Sequence, residues 1–223
     1  MAEQILPEIY RKSSAYAVNY DFNDIISGEG YQLFYGACST TGTTAAPVYT
    51  YFLSSQATAS TPVGVSSQTA SETYTFDSSS INRPLTLKGN LVAVIPRGLA
   101  AGDVPSACAQ TVEVEVYHLR GVTETKIGET TGQEISCAHN SGDTRMDTLI
   151  VALTQTVFNP GDVIRIKVIF TRSGNNIYLQ TFAFDPMERV WTHGIGGGSG
   201  ATGITLAAGQ TALKFYIPFK IIT

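Results

Sequence analysis

The 223-residue sequence predicts an all-β protein, an antiparallel two-sheet sandwich of jelly-roll topology. Three observations carry that reading. Apolar and polar residues alternate at period two along most of the chain, turn residues punctuate the alternating stretches, and helical periodicity is nearly absent.

At the start, Ile5, Leu6 and Ile9 could share a helical face, but Pro7 stands among them and denies the segment a regular helix centre. Residues 1–15 therefore read as an arm ahead of a single sandwich domain, 16–223. Early strands are expected at 16–22, 31–38, 48–53, 72–76 and 85–95. Val112, Val114 and Val116 alternate with Glu113, Glu115 and Tyr117. Ile164, Ile166, Val168 and Phe170 alternate with Arg165, Lys167 and Ile169. At the end, Leu213, Phe215, Ile217, Phe219 and Ile221 share one face. A strand sends successive side chains to opposite faces, so each pattern specifies one buried side. Pro218 lacks an N–H and marks that last strand as an edge strand, or one whose outward donor is not needed. The predicted core is Leu87, Leu91, Val112, Val114, Val116, Leu149, Val151, Leu153, Ile164, Ile166, Val168, Phe215, Ile217 and Phe219.

Turn chemistry agrees. Asn159-Pro160-Gly161-Asp162 sets Pro at the second and Gly at the third position of a type II turn, joining strands 148–158 and 163–172. Arg120-Gly121 divides 111–119 from 122–128, and 173–176 leads into a strand at 177–184. Residues 54–71 carry no charge and read as an extended surface loop, long enough to be a contact loop. The glycine-dense stretch 194–203 bends the chain before the final strands.

Composition narrows function. Charged residues are 14% of the chain against a usual share of about 25%; 27 Thr and 18 Ser supply much of the polarity. A net charge of −4 with no basic run argues against nucleic acid as a partner. No stretch approaches the roughly 18–20 apolar residues of a membrane span, and residues 1–12 lack a signal peptide's apolar region. No membrane partner and a cytoplasmic site of synthesis are therefore expected. Cys38, Cys108 and Cys137 do not form a disulfide framework; buried reduced thiols are expected, with a Cys108–Cys137 bridge left open.

Catalytic, cofactor and metal sites are read as none. The 194–203 glycines lack the Lys-Ser/Thr pair and following helix of a phosphate cradle. His139 near Cys137 falls short of a four-ligand metal site. Asp21 and Asp24 around Asn23 read as a capped turn, because the calcium-loop pattern is missing. There is no Gly-x-Ser-x-Gly elbow, and the chain is not expected to be an enzyme. Tyr49 and Tyr51 share one strand face and could stack on a sugar ring or on a neighbouring subunit. A carbohydrate- or receptor-binding module is accordingly an alternative reading, with a glycan as its partner.

Two stretches carry a resemblance. Asp21-Phe22-Asn23-Asp24-Ile25-Ile26-Ser27-Gly28-Glu29-Gly30-Tyr31-Gln32-Leu33-Phe34-Tyr35-Gly36 resembles the opening of small β-sandwich virion proteins of tailed phages and related viruses. The 153–162 turn followed by Ile164-Arg165-Ile166 is similar to a hairpin of virion jelly rolls. The resemblance implies a non-enzymatic virion structural protein, an auxiliary capsid, decoration or fibre-associated component located in the virion. Its partners would be other virion proteins and copies of itself, a trimer first. Ile5, Leu6, Ile9, Tyr10, Tyr49 and Tyr51 are the expected interface. Leaving each larger aliphatic side chain of the arm in water forgoes roughly 1.5–3 kcal/mol.

Overall fold

The computed structural model describes residues 18–19, 29–43, 46–67, 69–101, 108–137, 142–173, 178–193 and 204–220. Among them there is no helix. The strands are β1 (Val18–Asn19), β2 (Glu29–Thr43), β3 (Ala46–Ser54), β4 (Gly64–Ser67) and β5 (Ser71–Asp77). Then come β6 (Leu85–Ala101), β7 (Cys108–Arg120), β8 (Thr123–Thr131), β9 (Ile135–Cys137) and β10 (Gly142–Phe158). The last five are β11 (Val163–Ser173), β12 (Tyr178–Ala183), β13 (Trp191–His193), β14 (Ile204–Leu206) and β15 (Leu213–Lys220).

Thirteen strands form one sheet whose main path runs β4-β12-β6-β15-β2-β3-β5-β11-β7-β8, with β10 on β6, β1 on β2 and β9 on β7. β13 and β14 form a separate pair. The sheet is mixed rather than purely antiparallel, because β3 meets β5 in parallel at Phe52 and Asp77. The period-two segments occupy these strands in the expected faces. Val114 lies opposite Val168 and Val116 opposite Ile166 in the β7–β11 ladder. Each such cross-strand apolar pair contributes roughly 0.2–1 kcal/mol. Eleven of the fourteen predicted core residues are buried, and Leu149, Leu153 and Phe219 pack half-buried against them. Phe76, Phe182, Phe184 and Phe215 join Tyr74 at the centre, with ring centroids of Phe76 and Phe182 6.2 Å apart and edge-on.

Four expectations need correction. First, of the two readings of Pro218 the edge strand falls and the unneeded donor holds, since β15 is central, flanked by β2 and β6. The β6 ladder breaks between Tyr216 and Lys220, so the missing donor falls where no bond is required. Second, the Asn159–Asp162 turn is not a hairpin. Gly161 has φ 93° and Asp162 N–H donates to Asn159 O at 3.0 Å, as a type II turn requires, yet β10 pairs with β6 while β11 pairs with β5 and β7. The two strands diverge because Ile81 captures the turn: Gly161 N–H donates to Ile81 O and Ile81 N–H to Asp162 O, both at 2.8 Å. Third, residues 54–71 are not one surface loop. They contain β4, and Ser60 is buried, its N–H donating to Asp185 Oδ1 at 3.1 Å and its hydroxyl to Phe184 O at 2.7 Å. Fourth, the 120–123 junction is a two-residue loop of the predicted length but shifted one residue along the chain, 121–122, with Gly121 at φ 59°.

Buried charges also stand in the interior. The Arg97 side chain is fully buried, and its Nε meets Asp147 Oδ2 at 2.5 Å. Its Nη1 donates to Gln110 O at 2.9 Å and its Nη2 to Gln133 O at 2.6 Å. Burial pulls the guanidinium below its ordinary pKa, and Asp147 pushes it back. Asp185, with no exposed surface, accepts from Arg189 Nε at 2.7 Å. Its pKa moves down: burial opposes the charge, but Arg189 and the Ser60 N–H outweigh it.

Candidate functional site

A groove of about 780 Å³ opens beside the core. Its floor is apolar: Phe34 of β2, Ile81 of the β5–β6 connection, Leu85 at the start of β6, and Phe219 of β15 pack against the buried cluster. β3 brings Phe52, Leu53 and Ser54 to one wall. The other wall is the connection 78–84, Ser-Ser-Ser-Ile-Asn-Arg-Pro. Gln32 and Gln56 complete the lining, and Arg83 is its one ionisable residue.

That second wall is held from behind. Arg165 forks onto Asp77 at the end of β5, with Nε to Oδ1 at 2.7 Å and Nη2 to Oδ2 at 2.6 Å. Ser78 N–H donates to Ile164 O at 2.9 Å, and Ile164 N–H returns a bond to Ser78 Oγ at 3.0 Å. Ile81 is tied to the 159–162 turn as described. Asp162 closes that turn by accepting from Asn159 N–H at 2.8 Å and Arg120 Nη2 at 3.0 Å. His118 Nε2 lies 2.7 Å from Asp162 Oδ2, with its ring 4.3 Å from that of Phe158. The Asp162 carboxyl is held well below the usual carboxylate range, by Arg120 first, then the Asn159 N–H, then His118. A histidine–carboxylate pair invites a catalytic reading, but no Ser, Thr or Cys side chain among the described residues hydrogen-bonds the His118 ring. The pair clamps the turn.

The carboxylates of Glu113, Glu115 and Glu129 converge within 4.8 Å. Lys126 binds Glu115 and also Glu129, the latter at 2.6 Å, and Tyr117 donates to Glu115 at 2.9 Å. A lysine already supplies the cation there. The three cysteines are buried and unbridged.

Of the sequence-predicted interface residues, Ile5, Leu6, Ile9 and Tyr10 lie outside the described residues, as do Asp21, Asn23, Asp24, His139 and the glycine-dense stretch 194–203. Tyr49 is exposed at 44%. Tyr51 turns inward and stands edge-on to Tyr74, Phe76 and Phe184, each at 5.5 Å between ring centroids. Neither tyrosine lines the groove. Their neighbour Phe52, on the opposite side of the strand, does. The lining residues went unnoticed in the sequence because they come from four separate segments. The one local signal is 78–84, a neutral polar run with Pro between two strands.

No family model matches the chain, and no curated protein matches it. Solved structures give low likenesses. An α-amino acid ester hydrolase matches 66% of this chain and 25% of its own at 9% identity and a TM-score of 0.44. An aminopeptidase from a marine sediment Thaumarchaeota archaeon matches 66% and 26% at 10% identity and 0.41. A CocE/NonD family hydrolase of Staphylococcus aureus matches 86% and 37% at 8% identity and 0.46. The chain thus spans about a quarter to just over a third of their length. The expectation of a non-enzymatic virion, capsid or decoration protein of phage type is corrected here, since these similar structures are described as hydrolases and an aminopeptidase. At these scores the likeness transfers no activity.

Proposed function

We propose that the chain is a recognition module whose groove binds a neutral, polyhydroxylated ligand, a short stretch of glycan. The observation that carries this reading is the groove's lining. Phenylalanine faces at the floor suit the apolar face of a sugar ring. The hydroxyls of Ser55, Ser79 and Ser80 and the amides of Gln32, Gln56 and Asn82 offer paired donors and acceptors to ring hydroxyls. A volume of about 780 Å³ falls within the range of roughly 300–1,000 Å³ for small-ligand sites. The anchored 78–84 wall presents these groups without a large ordering cost.

We infer further that the long sheet doubles back as a two-sheet sandwich, which places the groove at its open end. Leu91 and Val151 from the β6–β10 side share one core cluster with Val114 and Val168 from the β7–β11 side. β8 and β10 share no ladder, yet a Cβ on Gly128 would stand 2.8 Å from Ala152 O.

A glycan array probed with the full chain tests the proposal. Specific binding is expected, weakened about five- to tenfold by Asn82→Ala through one lost hydrogen bond and by Phe52→Ala through lost stacking. Tyr49→Ala should leave it unchanged. Absence of binding, or binding that survives both groove variants, overturns the reading.

A further inference from the structure

Cys108 opens β7 and Cys137 ends β9, and the β7–β9 ladder sets the two directly opposite one another. Their sulfurs stand 2.7 Å apart. The residues are 2% and 5% exposed and pack with Leu99 and Ile135 in a small cluster of their own. Cys38 belongs to the main core cluster instead. β9 has three residues and, among the described strands, pairs only with β7. The segment leading into it carries Gln133, whose carbonyl oxygen accepts from Arg97 Nη2. The cysteines therefore lie at the end of the strap that covers the buried Arg97–Asp147 pair.

We propose that Cys108 and Cys137 form a cross-strand disulfide by exchange with a low-molecular-weight disulfide such as oxidised glutathione, and that the bond fastens β9 over the Arg97 site. One cysteine thiolate attacks a sulfur of oxidised glutathione, forming a mixed disulfide and releasing one glutathione thiolate. The second cysteine thiolate then displaces the remaining glutathione. Two protein thiols are oxidised, two glutathione thiols are produced, and the protons lost by the cysteines are taken up by the released glutathiones. Burial pushes the folded Cys137 thiol up to about 12, so thiolate is scarce in the finished fold. Exchange runs while the chain is folding, and the bond is afterwards shielded from reductant.

The full chain is refolded from urea in a glutathione redox buffer, then alkylated under denaturing, non-reducing conditions and weighed. The expected product carries one alkyl group, on Cys38, and is lighter by two hydrogens before labelling; peptide mapping links 108 to 137. Its unfolding midpoint should exceed that of the reduced chain by roughly 7–14 °C, from the chain entropy of a closed loop of this length and the size of the domain. Three alkylated thiols, or a link involving Cys38, would overturn the proposal. The mass measurement uses the unaltered sequence, so it decides even if Cys108→Ser or Cys137→Ser fails to fold.

Discussion

Removing the carboxylate from Asp147 should be among the most damaging single changes in the interior. Arg97 is fully buried, and among the described residues Asp147, with Oδ2 at 2.5 Å, is the only charged group bonded to it. Asp147→Ala leaves Arg97 Nε without an acceptor and its positive charge without a counterion in a site that water does not reach. The two carbonyl bonds from Gln110 and Gln133 remain but do not neutralise it. Breaking a buried pair in this way costs roughly 3–5 kcal/mol, which lowers the melting midpoint by roughly 6–20 °C for a chain of this size. Urea titration followed by far-ultraviolet circular dichroism reads the loss as a shift in midpoint at constant slope. Arg145 supplies the control. It meets the same carboxylate at 2.7 Å but is 37% exposed, so Arg145→Ala should cost about 1 kcal/mol or less. The double variant Arg97→Met with Asp147→Ala should recover part of the loss, because no buried charge then remains. A cost below about 1 kcal/mol for Asp147→Ala, or a double variant that is simply the sum of the singles, would refute the reasoning.

Stability should form a plateau across neutral pH and fall on both sides. Asp162 and Asp185 have folded pKa values below their ordinary ones, so their contribution is complete above the unfolded carboxylate value of about 4 and is lost as pH falls below it. Burial raises Cys38 to about 11 and moves Tyr51 and Tyr74 upward too; their contribution is complete below about pH 8 and is lost as pH rises through and beyond 9–11. Thermal melts from pH 3 to 11 check both limbs, and a midpoint still rising at pH 10 would contradict the second. Gly128→Ala should destabilise by roughly 1–3 kcal/mol, because its Cβ would press on the Ala152 carbonyl oxygen at 2.8 Å; a neutral result in the same urea assay would show that β8 is free to move away.

The core was legible because burial on one side of a strand writes itself as alternation: Val112, Val114 and Val116 need no tertiary information to be assigned to one face. Strand neighbours were not. Nothing local in 148–158 says that it lies on β6 rather than on β11, since the same type II turn serves a hairpin or a crossing. Pro218 left two readings open for a related reason. A missing N–H excludes a ladder bond at one position, and a register break in a central strand meets that condition as well as an edge does. The groove was hidden because its residues meet only after β2, β3 and β15 have paired. Tyr51 was read as a surface aromatic because a tyrosine's hydroxyl allows either environment.

The position of β15 has a consequence for how the chain comes to be made. Its ladders to β2 and β6 join Leu213 to Gly36 and Phe215 to Ala93, so the strand that bridges these two earlier ones is synthesised after every other described strand. At translation rates of about 5–20 residues per second, some 10–35 s separate the appearance of β2 from that of its partner. Until β15 is made, β2, and β6 once it has been synthesised, each present an unmatched edge to the crowded interior of the cell, while β7, β8 and β11 can already associate. Such long-range closure is slow by topology. The early half of this protein is therefore the part most in need of protection on the ribosome.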